Sequence, residues 1–85
     1  MGFIKDAKRD AIAKEAARAR EEGRRFFTPK LNSPMTQHGF SGSIAGWAEQ
    51  IEAIEDAGWE LTSWTVAHDS KGRPEAYPLF ELPAD

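Results

Sequence analysis

The sequence has no cysteine and no long hydrophobic run, and these two absences exclude whole classes of protein. Without cysteine, the 85 residues cannot form a disulfide framework, a thiolate metal site or a thiol nucleophile. No apolar stretch approaches the roughly 18 residues of a membrane-spanning helix, and the N-terminus lacks the apolar core of a signal peptide. With 40% hydrophobic and 29% charged residues, the chain predicts one small globular domain with a cytoplasmic location.

Basic residues are scarce after residue 25. Residues 1–25 hold eight basic and five acidic side chains, which gives +3, whereas residues 26–85 hold three and nine, which gives −6. Hydrophobic residues divide at the same place, since only four of the twenty-one other than alanine precede residue 26. The sequence therefore predicts a charged helical arm over 1–25 and a small domain over 26–85 that contains the core.

The N-terminal third predicts a helix and a short strand. Residues 3–22 favour a helix because they are rich in Ala, Arg, Lys and Glu, lack internal glycine and proline, and end before Gly23. The apolar stripe of this helix is short, so we expect it to dock by its first two turns while the rest is solvated. Residues 24–31 suggest a strand, and Pro29 favours an edge position for it.

A second helix over residues 43–57 is the clearest amphipathic signal in the chain. Ser41 or Ser43 is expected to cap its N-terminus, and Gly58 is expected to end it. Acidic residues occupy its other sides, where charge serves solubility. The hydrophobic positions that share one side are Ile44, Trp47, Ile51 and Ile54.

Two strands joined by a hairpin follow the second helix. Residues 59–67 are rich in β-branched and aromatic side chains. Their alternation changes phase between Leu61 and Trp64, which indicates a bulge or two buried faces. Residues 69–72 predict a hairpin loop, and the returning strand is expected from residue 74 to 82.

The strand order follows from the two prolines. Because Pro29 and Pro78 both favour edge strands, we expect the 59–67 strand in the centre with the other two beside it. The predicted fold is α+β: an N-terminal helix, then a β-α-β-β core in which one helix packs on a three-stranded sheet.

Both faces of this predicted sheet carry large apolar groups, while the second helix covers only one of them. Either the N-terminal helix closes the other face or another subunit does, since a large exposed apolar patch is unusual on a monomer. Trp64 and Val66 are expected to lie on the face opposite Leu61 and Ala67, with Trp64 either an interface anchor or covered by the N-terminal helix. The candidate interface residues are Phe3, Ile4, Trp64, Val66, Tyr77 and Leu79.

The motif Gly58-Trp59-Glu60-Leu61 resembles one found in a family of short bacterial proteins named only as a domain of unknown function. In that family a helix runs into this motif, and a hairpin then ends in an apolar-aromatic strand, matched here by residues 77–80. The resemblance covers residues 43–82 and implies a β-α-β-β core, and it points to no catalytic residue. The whole chain also looks like small proteins of actinobacteria and their phages, which have a charged N-terminal helix, a Pro-rich loop and a Gly-Phe-Ser-Gly turn.

The loop before the second helix contains the strongest candidate for ligand chemistry. Residues 39–43 superficially resemble a nucleophile elbow, but the fifth position is a serine rather than the glycine that an elbow needs. Helix capping is the simpler interpretation. A milder alternative is an anion-binding turn formed by Ser41, Gly42 and Ser43 at the helix N-terminus.

The two histidines offer little chemistry. His38 and His68 are too few and too far apart in sequence for a zinc site. A triad of Ser41, His68 and Asp69 is arithmetically allowed, but adjacent histidine and aspartate residues in a hairpin rarely point at each other. We therefore expect no catalytic residue, no metal site and no cofactor.

These patterns predict a small non-enzymatic protein that forms a homo-oligomer and acts through protein–protein contacts. The alternative is a peripheral binder of nucleic acid or anionic membrane through the basic N-terminal helix. Five acidic residues interrupt the bases of that helix, which disfavours this alternative. A third hypothesis is an enzyme that uses the turn containing Ser41 and Ser43.

Overall fold

Two helices and three strands make up the fold in the computed structural model, which describes residues 3–32 and 43–83, with side chains from residue 8 onward. The three strands form one antiparallel sheet. The predicted α+β class and the helix-first order are confirmed. In chain order the elements are α1 (Phe3–Glu21), β1 (Phe26–Phe27), α2 (Ala45–Asp56), β2 (Glu60–His68) and β3 (Pro74–Glu81).

The central strand is β3, so the prediction that residues 59–67 lie in the centre is wrong. The order is β1-β3-β2. Ala76 exchanges both backbone hydrogen bonds with Leu31, beyond the end of β1. Pro78, two residues further on, directs its nitrogen to the same side, where residues 28–30 form no ladder. A proline is therefore tolerated in the centre of the sheet because its missing N–H falls in a gap between pairings.

The predicted bulge is present in β2, and it changes which side chains share a face. The register of β2 on β3 shifts between Leu61 and Ser63. Beyond the shift, Trp64 pairs with Pro78 and Val66 with Ala76. Because paired residues in a ladder share a face, Trp64 and Val66 lie on the same face as Leu61. The prediction that they lie on the opposite face is wrong.

Helix α2 covers this face of the sheet, as predicted. Trp47 and Ile54 are its buried residues. Trp47 packs with Leu31 and Ala76 at one end of the sheet, and its indole Nε1–H donates to the Asn32 carbonyl at 2.7 Å. The N-cap is Ile44 and makes no side-chain cap hydrogen bond. The prediction of a cap from Ser43 is therefore wrong, and Ser41 lies outside the described residues.

Helix α1 packs on α2 rather than on the other face of the sheet. Its residues Ile12, Ala16 and Ala19 are buried in one cluster with Phe80 and Trp59. The expectation that only its first two turns dock is wrong, because alanines spaced along the later turns let the two helices approach closely. The core therefore spans the division at residue 25.

Two glycines end the helices as the sequence predicts. Gly23 has φ 81°, and the N–H groups of Gly23 and Arg24 reach back to the carbonyls of Arg20 and Ala19, which is the Schellman arrangement. Gly58 has φ 104° and closes α2. Arg20 then donates from Nη1 to the Ala57 carbonyl at 3.0 Å, so a cation of α1 sits at the negative end of α2.

Candidate interaction surface

The outer edge of β2 directs its backbone hydrogen-bonding groups away from the rest of the sheet. Both hydrogen-bonding groups of Ala76 face β1, so its partner Val66 makes no ladder bond to β3 and directs its own N–H and C=O away from the sheet. Trp64 and His68 lie two residues to either side in an unshifted register and point the same way. Among the described residues, no strand pairs with this edge.

The side chains beside this edge are apolar and half-exposed. Trp64 is 46% exposed and Val66 is 47% exposed, although both lie on the face that α2 covers. The Trp64 ring meets the Trp47 ring edge-on, with centroids 5.7 Å apart. Helix α2 thus supports Trp64 from one side and leaves its outer side open. The buried residues of α1, from Ile12 onward, pack with Trp59 and Phe80 rather than on Trp64.

The opposite face of the sheet carries a second exposed apolar group. Phe26 and Tyr77 are 43% and 41% exposed, and Leu79 lies half-buried beside them. The register places all three on the face away from Phe80, since Phe26 pairs with Glu81 and Tyr77 with Thr65. Neither helix packs on this face, and the guanidinium of Arg25 lies 5.5 Å from the centre of the Phe26 ring.

Polar groups divide this open face. The Tyr77 hydroxyl donates to the Glu75 carboxylate at 2.6 Å, and Lys30 lies 3.6 Å from the same carboxylate. This hydrogen bond, together with desolvation and the negative charge of Glu75, holds the pKa of Tyr77 above its usual value of 10.0. Part of the open face is therefore a solvated polar network, whereas the edge of β2 has no comparable network on the described side chains.

The carboxylate of Asp69 holds the hairpin turn between β2 and β3 together. Asp69 Oδ1 accepts from the backbone N–H groups of Lys71 and Arg73, and Oδ2 accepts from Arg73 Nε at 2.8 Å. Gly72 completes the turn with φ 81°. Both carboxylate oxygens of Asp69 are thus engaged within the turn. His68 is exposed at the end of β2, and no His68–Asp69 hydrogen bond forms.

The turn predicts a specific dependence of stability on pH. The backbone N–H of Arg73, followed by the N–H of Lys71 and the Arg73 guanidinium, lowers the pKa of Asp69 below its usual 3.8. A lowered folded-state pKa adds stability above pH 3.8, and that stability is lost as the pH falls through the folded value. We expect Asp69→Asn to lower the melting temperature at neutral pH, and the difference from wild type to shrink in acid. Thermal melts at several pH values test this, and a difference constant with pH would contradict it.

An open cleft of about 350 Å³ lies between the two helices. Arg9 and Ala13 of α1 line one side, and Glu49, Glu52 and Asp56 of α2 line the other. The described residues contain no group of three histidine, aspartate or glutamate side chains placed to hold a metal ion. Glu52, Glu55 and Asp56 are exposed to solvent, as the spacing of the acidic residues on α2 predicts.

The structure separates the predicted interface residues into two groups. Trp64 and Val66 adjoin the β2 edge on the helix-covered face, whereas Tyr77 and Leu79 lie on the open face. The side chains of Phe3 and Ile4 lie outside the described part of the chain. So do two members of the predicted anion-binding turn, Ser41 and Gly42. The third, Ser43, is exposed before α2.

Sequence reasoning missed two features of this surface. It did not select Phe26, which is exposed because β1 is short and its face has no helix. It also placed β2 in the centre and so missed the free edge. Pro29 and Pro78 together directed the predicted strand order, and the segment 60–68 contains neither the proline nor the lysine that would mark it as an edge.

Comparison with known proteins finds no relative of this chain. No protein-family model matches the chain, and no curated protein or solved structure matches it either. Within the described residues, neither helix has the length and apolar character needed to cross a bilayer. The resemblance to the Gly-Trp-Glu-Leu family stays a prediction.

Proposed function

We propose that this protein is a small non-enzymatic module that self-associates and acts through protein–protein contacts. The observation that carries the proposal is the outer edge of β2, which pairs with no strand of the described chain and lies beside the half-exposed side chains of Trp64 and Val66. Aromatic side chains with one supported side and one open side are typical anchors of protein interfaces. Long edge strands without protecting charges readily pair with another strand.

The titratable groups support a non-enzymatic role. Asp69 is bound within its own turn, and His68 is exposed without a hydrogen-bonded partner among the described side chains. The shifted pKa values of Asp69 and Tyr77 both arise from local pairs on the surface. Catalytic acids and bases are more often found in clefts that combine desolvation with a specific charge partner.

Nucleic-acid or membrane binding through α1 is less well supported. The exposed positions of this helix alternate in sign, with Glu15 beside Lys14 and Glu21 after Arg20. Arg20 is also engaged with the end of α2. An electrostatic footprint on phosphate needs a continuous basic face, and this helix instead contributes its apolar side to the core.

Size-exclusion chromatography with light scattering tests the proposed self-association. At high micromolar concentration we expect a molar mass of about twice the chain mass of 9.5 kDa. A mass of 9.5 kDa at every concentration would overturn the proposal. Titration with a labelled duplex DNA and with anionic vesicles serves as a parallel measurement, and salt-sensitive binding of either would favour the basic helix instead.

A further inference from the structure

We infer that the partner at the β2 edge is a second copy of this chain, paired antiparallel through residues 64–68 about a two-fold axis at Val66. This inference rests on the proposed self-association and names its geometry. The pairing joins two three-stranded sheets into one continuous sheet. Because cross-strand neighbours share a face, the helices of both copies lie on the same side of the joined sheet.

The direction of the backbone groups selects the segment. Trp64, Val66 and His68 all direct their N–H and C=O groups outward, and the register from 64 to 68 is unshifted. The bulge at Thr62 breaks this pattern on the N-terminal side. A two-fold pairing confined to the regular part of the edge therefore has its centre at Val66, with Trp64 of one copy opposite His68 of the other.

The exposed side chains select a second copy over an unrelated extended peptide. In this pairing the two Val66 side chains meet at the axis on the helix-covered face, and the two Trp64 rings flank them. The open sides of these residues, which are 47% and 46% exposed in one chain, then cover each other. An unrelated peptide would also form hydrogen bonds with the backbone of this edge, but it would cover Trp64 and Val66 only if its own side chains were apolar at the matching positions.

The lack of charged side chains on this part of β2 allows two copies of the same strand to pair. A two-fold axis at Val66 sets this residue directly opposite its own copy, and like charges directly opposite each other destabilise a ladder. The paired segment 64–68 contains no aspartate, glutamate, lysine or arginine, and His68 lies opposite Trp64 of the other copy rather than opposite its own copy. Lysine and proline, which commonly protect edge strands from pairing, are both absent from this segment.

A charge swap at Val66 tests the inference. Val66→Lys and Val66→Glu each place like charges opposite each other at the axis, so we expect each to weaken self-association about tenfold or more in sedimentation velocity. An equal mixture of the two variants places opposite charges there and is expected to recover the wild-type molar mass. Thr65→Lys is the matched control, because it adds the same charge one residue away on the other face.

The possible outcomes separate the inference from the proposed function. Wild-type protein that is monomeric at every concentration overturns both. A wild-type dimer that Val66→Lys leaves intact, or variants that fail to recover in the mixture, overturns only the pairing at Val66. Circular dichroism of each variant confirms folding, which we expect since Val66 is half-exposed on an edge strand. Should Val66→Lys not fold, Val66→Pro is the second variant, because it keeps an apolar side chain and removes an outward N–H that the β2–β3 ladder does not use.

Salt provides an independent readout. A pairing through an uncharged strand segment depends little on ionic strength, whereas contacts between the basic α1 and the acidic remainder of the chain weaken as salt screens them. We expect the wild-type dissociation constant to change less than about threefold between low and high salt. A dissociation constant that rises steeply with salt would overturn the edge pairing and would favour an association driven by charge.

Discussion

Replacing Phe80 with alanine is expected to lower the free energy of unfolding by about 3–5 kcal/mol. Phe80 is fully buried near the C-terminal end of β3, the central strand of the sheet. It contacts the Phe27 ring at a centroid distance of 6.3 Å and belongs to the cluster that joins the sheet to both helices. Because domains of this size are stable by only about 5–15 kcal/mol, the variant loses a large part of its stability. Denaturant unfolding at low protein concentration measures the loss.

Phe26→Ala is the matched control for this prediction. Phe26 precedes Phe27 in the same strand but faces away from the helices and is 43% exposed. Its replacement removes a phenyl ring of the same size without opening a cavity in the core, so we expect a loss of about 1 kcal/mol or less. Equal losses for Phe80→Ala and Phe26→Ala would contradict the assignment of the core to the helix-covered face.

Replacing Trp59 with alanine is expected to cost about 3–5 kcal/mol and to detach α1 from the sheet. The Trp59 ring is 3% exposed and stacks on Phe27 at 5.7 Å between centroids. Its indole Nε1–H donates to the Ala16 carbonyl of α1 at 2.9 Å. The same side chain therefore packs in the core and holds α1 by a buried hydrogen bond. Denaturant unfolding gives the energy, and limited proteolysis within α1 reports the detachment.

Two further variants separate the contributions at Trp59. Trp59→Phe keeps most of the ring but removes the donor to Ala16, so we expect a smaller loss of about 1–2 kcal/mol. Trp64→Ala removes a tryptophan that is half-exposed, and we expect it to leave monomer stability within about 1 kcal/mol of wild type. Faster proteolysis of α1 in Trp64→Ala than in Trp59→Ala would contradict the packing of α1 on the Trp59 side.

Local signals in the sequence predicted the elements well. Gly23 and Gly58 mark helix ends because positive φ angles suit glycine, and the four- and three-residue steps from Trp47 to Ile51 to Ile54 mark the side of α2 that faces the core. The change of phase around Thr62 indicated the bulge in β2. Each of these features depends on residues that are close in the chain.

The features that involve distant residues were not predictable in the same way. Pro78 favours an edge strand, but its nitrogen faces a gap that exists only because β1 stops at Phe27 and pairing resumes at Leu31. The burial of Ala16 depends on Trp59 lying above it, 43 residues later in the chain. Strand order, and with it the free edge of β2, follows from such pairings rather than from the composition of any one segment.

Hydrogen exchange of the backbone amides of β2 tests the central claim, self-association through this edge, most directly. The amides of Trp64 and Val66 point outward, whereas those of Thr65 and Ala67 face β3. We predict that the amides of Trp64 and Val66 exchange quickly in dilute protein and become protected as the concentration rises, while Thr65 and Ala67 stay protected throughout. Amides of Trp64 and Val66 that exchange quickly at every concentration would contradict the account.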